Sequence, residues 1–299
     1  MLFRSTFGIA LDQTEGAIVR GNEVEGDASA TIGMRGDSIR LWEAHHSLVE
    51  GNHVRRGRDL VVWYSPGSTV RGNLVEESRY GTHFMFSSGC TAEDNRYLGD
   101  VVGIFLMYSR DVVVRRNLFL GSSGAAGMGL GLKESGGITA LDNRFLHDTI
   151  GLYLDTSPLY DGDKNVFRGN EIAQAEVGIQ FLAPHAGNTF TNNWLHDNGA
   201  QVTVEGGGGA TDNLWDGNDW DDYAGYDLDG DGKGDVPYEL RSLSGELTAR
   251  TPELLLLRGT PALAMVDAVS HLIPLWSPQL VLVDRHPRFG APEEAARAH

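Results

Sequence analysis

The chain has 299 residues, 24 basic against 41 acidic, giving a formal charge of −17 with neutral histidines. That length suffices for one long solenoid with an appendage, and the acidic surplus excludes a nucleic-acid partner and weighs against anionic polysaccharides. A lone cysteine, Cys90, rules out an intrachain disulfide framework and a cysteine-based zinc site, and no run of about 20 apolar residues is available to span a membrane.

At the N-terminus, Met1 to Ser5 carry no basic-then-apolar leader pattern, and strand-like sequence has already begun by Ile9-Ala10-Leu11. Solenoids need capped ends, so this sequence is expected to be the N-terminally truncated part of a longer protein. From there one asparagine recurs: Asn22, Asn52, Asn73, Asn95, Asn117, Asn143, Asn170, Asn193 and Asn218. The gaps from Asn52 through Asn117 and from Asn170 to Asn193 are 21, 22, 22 and 23 residues; the others run from 25 to 30. Each unit is rich in Val, Ile, Leu and Phe, with Gly, Asn, Asp and Ser at the corners and no room for a helix. The fold expected is all-β, a right-handed parallel β-helix of about 22 residues per coil over residues 6–222. The asparagine is then structural, since it tolerates the left-handed corner and its amide can bond its counterpart one coil away.

A second stretch aligns in each coil: Ile39-Arg40-Leu41-Trp42, Leu60-Val61-Val62-Trp63, Thr82-His83-Phe84-Met85, Ile104-Phe105-Leu106-Met107, Leu130-Gly131-Leu132-Lys133 and Leu152-Tyr153-Leu154-Asp155. Side chains alternate across a strand, so the first and third positions point inward and the second and fourth outward. Adjacent rungs lie about 4.8 Å apart, which sets Trp63, Met85 and Met107 side by side with His83 on the same face. Met128, just before the next rung, is expected at the edge of this patch. Two thioethers and an imidazole are soft, neutral ligands that suit Cu(I) and suit Ca²⁺ or Mg²⁺ poorly. The alternative is that these side chains only pack. His45, His46, His53, His185 and His196 read as surface histidines.

After Trp220 the pattern changes. Asp227, Asp229, Asp231 and Asp235 alternate with glycines in a run that resembles EF-hand-like and dockerin-like calcium loops, although position 12 is Tyr238 where a Glu is expected. A structural Ca²⁺ site at the solenoid exit is one reading, and an Asp/Gly turn is the other. Residues 223–299 are expected to hold this loop, short helices from Thr251 to Gly259 and from Thr260 to about Leu272, and an extended arm from Pro278 to Phe289.

Parallel β-helices include many polysaccharide lyases, glycosidases and epimerases, which need clustered carboxylates on an outer face. Asp155, Asp161 and Asp163 are the nearest candidates here and form no paired motif, so a carbohydrate-active enzyme is the second choice. The segments Arg79–Ser87, Val102–Ser109, Gly151–Asp155, Asp222–Asp227 and Asp235–Tyr238 resemble the NosD family, the periplasmic β-helix component of nitrous oxide reductase maturation. The similarity runs from about Gly33 to Arg288, including Leu280-Val281-Leu282-Val283-Asp284. Phe84 and Phe86 stand where tyrosine is expected. The resemblance implies a non-enzymatic, periplasmic role in copper delivery. It implies as partners the permease and ATPase of an ABC transporter, a copper chaperone lipoprotein and the nitrous oxide reductase apo-enzyme, with membrane association only through them. It also strengthens the assignment of copper to His83, Met85 and Met107, with Met128 as the further candidate at the edge of the patch.

Overall fold

Triplets with a buried valine at the centre, such as Thr69–Arg71 and Leu74–Glu76, form strands of three residues because glycine, asparagine and acidic residues turn the chain after each. The computed structural model describes residues 7–205, 207–242, 265 and 278–289. Among these, the coils stack into three parallel sheets of nine strands each. The first runs from Phe7–Glu15 through Tyr80–Met85 to Ala200–Val204; the second from Ile18–Arg20 to Leu214–Asp216; the third from Glu23–Glu25 to Asp219–Trp220. This is the parallel β-helix that the asparagine period predicts.

The inward positions form the core. Ile39, Leu41, Leu60, Val62, Phe84, Ile104, Leu106, Leu130 and Leu132 are fully buried. Aromatic rings stack behind them, Tyr97 on Phe119 on Phe145 and Phe167 on Phe190 on Trp215, with centroids 4.2 to 5.1 Å apart. From Asn22 to Asn193, each asparagine donates its backbone N–H and its side-chain amide to the Oδ1 of the next, at 2.9 to 3.0 Å. Each buried corner group is thereby satisfied, as burial requires. Sequence reading missed two companion ladders. In one, Ser65, Ser87, Ser109 and Ser135 each donate a backbone N–H to the next hydroxyl, ending at Ser157. The other joins Asn165, Asn188 and Asn213.

Part of the segment expected as an extended arm forms a strand. Gln279–Asp284 pairs antiparallel with Tyr238–Ser242 at the end of the solenoid, and the Ala210 N–H bonds the Val281 carbonyl at 2.6 Å. The fully buried Asp284 carboxylate takes the place of the next asparagine. It accepts from Gly217 N, Asn218 N, Asn218 Nδ2, Trp220 Nε1 and His286 N at 2.9 to 3.2 Å. Except at Met265, which is helical, the helices expected from Thr251 to Leu272 lie outside the described residues.

Candidate metal centre

Register sets the outer face of the first sheet. Val61, His83, Phe105, Gly131 and Tyr153 form one outward column; Trp42, Trp63, Met85, Met107, Lys133 and Asp155 form the next. Between the strands Asp59–Trp63 and Tyr80–Met85 the pairing slips by one residue, so that Tyr80 faces Asp59 while His83 faces Val61. Gly81 takes the extra position, and the later coils keep glycine there as Gly103, Gly129, Gly151 and Gly178. A Cβ on Gly103 would overlap the Phe119 ring and come within 2.6 Å of the Gly129 carbonyl oxygen, so only glycine fits. The slip carries a third outward column, Tyr80, Val102, Met128, Ile150 and Val177, beside the histidine.

His83 faces out of the solenoid yet is only 5 % exposed. The Tyr80 ring lies 4.8 Å away, Trp63 meets it edge-on at 5.3 Å and Phe105 lies over it at 6.2 Å. A brace of ion pairs holds Tyr80 there. Its ring lies 4.5 Å under the Arg79 guanidinium, which Asp59, fully buried, grips with both oxygens; Arg58 pairs in turn with Asp37. Burial, aided by the Arg79 charge, pushes the imidazole down to about 4 and leaves it neutral at neutral pH.

His83 Nε2 lies 3.1 Å from Met107 Sδ, and His83 Nδ1 is buried without a hydrogen-bond partner. Whichever nitrogen carries the proton, the ring keeps an unmade donor or an unused lone pair in apolar surroundings, at a cost of about 1–3 kcal/mol. Donor atoms roughly 3–4 Å apart suit one ion with bonds of about 2.0–2.3 Å. The neutral nitrogen and thioether sulfur therefore fit a soft monovalent ion in both chemistry and spacing. Met85 is half-buried one rung from Met107 on the same face. Met128 lies apart, two rungs from His83 with Phe105 between them. It is 8 % exposed and packs with Val102, Ile150 and Val177. A Cβ on Gly131 would come within 2.6 Å of its sulfur, so the missing side chain makes its room.

Sequence reading missed the corner beside this face. Tyr64, Phe86 and Tyr108 each follow a member of the Trp63, Met85, Met107 column with φ near +50°. Their rings stack at 5.1 and 4.9 Å. In other coils this corner holds Gln13, Glu43, Glu134 and Thr156. The signal was present as the dipeptides Trp63-Tyr64, Met85-Phe86 and Met107-Tyr108.

The remaining candidates are engaged elsewhere. His46 bonds Glu15, His53 bonds Glu76, His196 bonds Glu171 and His185 bonds the Pro158 carbonyl; His45 lies 3.9 Å from Glu15. Asp155 lies 3.7 Å from Lys133, and Asp163 is paired with Arg110 at 2.7 Å. In the acidic loop, carboxylate oxygens of Asp227, Asp229 and Asp231 come within 4.8 Å of one another. They also accept backbone N–H groups from Gly230, Asp231, Gly232 and Lys233. Asp235 stands outside that trio and accepts from Leu228 N at 2.6 Å. No helix among the described residues is long and apolar enough to cross a membrane.

Two solved β-helix enzymes are remotely similar. The periplasmic alginate epimerase AlgG is 15% identical with a TM-score of 0.44, covering 73% of this chain and 64% of that one. A hyperthermoactive exopolygalacturonase from Thermotoga maritima is 12% identical with a TM-score of 0.41, covering 57% and 54%. Among curated proteins, the probable ABC transporter binding protein NosD of Pseudomonas aeruginosa is 29% identical over 97% of this chain and 70% of its own length. Its namesake from Stutzerimonas stutzeri is 29% identical over 96% and 68%. Residues 20–225 match the family model described as periplasmic copper-binding protein NosD. Since that match takes in well over half of the sequence, the chain belongs to the NosD family.

Proposed function

We propose that this chain is a periplasmic copper carrier that holds Cu(I) on the outer face of its first sheet through His83, Met85 and Met107. It would work with the permease and ATPase of an ABC transporter, receive copper from a chaperone lipoprotein and serve assembly of the copper centres of nitrous oxide reductase. It has no catalytic role of its own. The observation that carries this reading is the neutral, under-satisfied imidazole 3.1 Å from a thioether sulfur. Neutral thioethers hold Cu(I) without thiolate charge, which suits a carrier that must release its cargo. Met128 belongs to the packing that supports this face. The acidic loop is proposed as a structural Ca²⁺ site in which Asp227, Asp229 and Asp231 supply carboxylates and Asp235 holds the loop closed.

The test is an anaerobic Cu(I) titration against a chromophoric chelator, comparing the unaltered protein with a His83→Ala/Met85→Ala/Met107→Ala variant. Saturable binding that the variant loses is the expected result. Equal binding by both, or binding by neither, would sink the assignment and leave this face as packing or partner surface.

A further inference from the structure

Trp63 stands beside the donor set His83, Met85 and Met107, against the imidazole and one rung from Met85. It is the neighbour of Met85 in the same outward column and packs edge-on to His83 at 5.3 Å with an interplanar angle of 89°. On the opposite side it faces the preceding coil, where Trp42 lies 5.8 Å away and the Arg40 guanidinium sits 5.9 Å from its centroid. The indole is therefore wedged between two coils. Its N–H is buried without a hydrogen-bond partner, so packing alone sets the ring's position.

We propose that Trp63 is the specificity wall of the copper site, covering the bound ion with its π face and keeping water from the open coordination side. This rests on the reading of His83, Met85 and Met107 as the copper ligands. An indole is the strongest aromatic partner for a cation, and a desolvated contact strengthens the attraction. Cu(I) takes soft ligands at low coordination number and does without water. Cu(II) favours tetragonal nitrogen and oxygen ligation, which a site closed by an indole denies it. Trp63 thus selects the oxidation state and slows loss of the ion, while the nitrogen and sulfur donors supply the bonds.

The experiment uses the full chain with Cu(I), with Ag(I) as a redox-inert monovalent probe and with Cu(II). It reads stoichiometry, indole fluorescence and the rate of ion transfer to a chelator. Trp63→Phe keeps an aromatic ring at the position, and Trp63→Leu keeps only apolar bulk; thermal melting of each confirms the fold. Three results are expected: both monovalent ions quench fluorescence in the unaltered protein, the change shrinks in both variants, and Trp63→Leu releases Cu(I) about tenfold faster at unchanged stoichiometry. Trp63→Leu should also weaken the preference of this site for Cu(I) over Cu(II). Unchanged release and selectivity in a folded Trp63→Leu variant would overturn the wall while leaving the copper site standing. No Cu(I) binding by the unaltered protein would overturn both, and the His83/Met85/Met107 variant separates the two failures.

Discussion

At the residue scale, the buried acids beneath the first sheet set the pH response. Asp148 and Asp100 each accept one backbone N–H through Oδ1, from Ser122 and Ser78 at 2.7 Å, and leave Oδ2 buried without a partner. In the last coil Asn198 plays the same part, accepting from Ala175 N while its amide donates to the Ile172 carbonyl at 2.9 Å. A protonated carboxyl can imitate that amide, and an ionised one cannot. Burial pushes Asp148 up from 3.8 to about 7 and raises Asp100 well above its ordinary value. Between those limits the native state holds a proton that the unfolded chain has released. The contribution of Asp148 to stability therefore falls as pH rises from about 4 to about 7 and is absent above that. Asp148→Asn should change little at pH 4 and gain stability progressively to a plateau above pH 7, several kcal/mol at most. Urea melts at a series of pH values read this directly. A constant difference between the two proteins at every pH would show that Asp148 is ionised in the folded state.

At the element scale, the glycine-bearing slip in the first sheet is what makes a site out of an ordinary rung. Without it Tyr80 would not stand beside His83, and that side of the imidazole would lie open to water. Gly103→Ala forces a Cβ into the Phe119 ring and the Gly129 backbone, so a loss of about 2–3 kcal/mol is expected, read as a lower urea midpoint. Cu(I) affinity should fall with it, because the strand Val102–Met107 carries both Met107 and Phe105. A stable variant with full affinity would show that glycine at position 103 is dispensable. The sequence made the fourth-position column legible, since strand alternation and a fixed repeat suffice to place Trp63, Met85 and Met107 side by side. It did not reveal that His83 is buried, because that follows from a register slip between two coils and from Tyr80, held by the Arg79–Asp59 pair. Nor did alternation mark the corner Tyr64, Phe86 and Tyr108, whose positive φ falls outside any strand rule. The asparagine ladder was legible because one residue type recurs at every coil. The serine ladder was not, because its members run through only part of the chain.

At the scale of the whole molecule, the end of the solenoid is closed by chain from beyond it. Asp284 ends the asparagine ladder with a carboxylate that accepts five N–H groups, drawn from Gly217, Asn218, Trp220 and His286. Charge-assisted bonds of this kind outweigh the amide pair they replace. The acidic loop is tied to the same closure: Gly234 N bonds the Pro287 carbonyl at 2.8 Å, Phe289 N bonds the Gly232 carbonyl at 3.0 Å, and Arg288 N bonds the Asn218 carbonyl at 2.8 Å. A divalent ion that fixes the loop would therefore fix the strand Gln279–Asp284 against the last coil. Bare, the carboxylates of Asp227, Asp229 and Asp231 repel one another at the surface of a chain already carrying a large negative charge. Saturating Ca²⁺ should raise the melting temperature by a few degrees relative to chelator, and Asp227→Asn/Asp229→Asn should lose that increment. A melting temperature indifferent to Ca²⁺ would reduce the loop to an Asp/Gly turn, with closure of the solenoid resting on Asp284 and its strand.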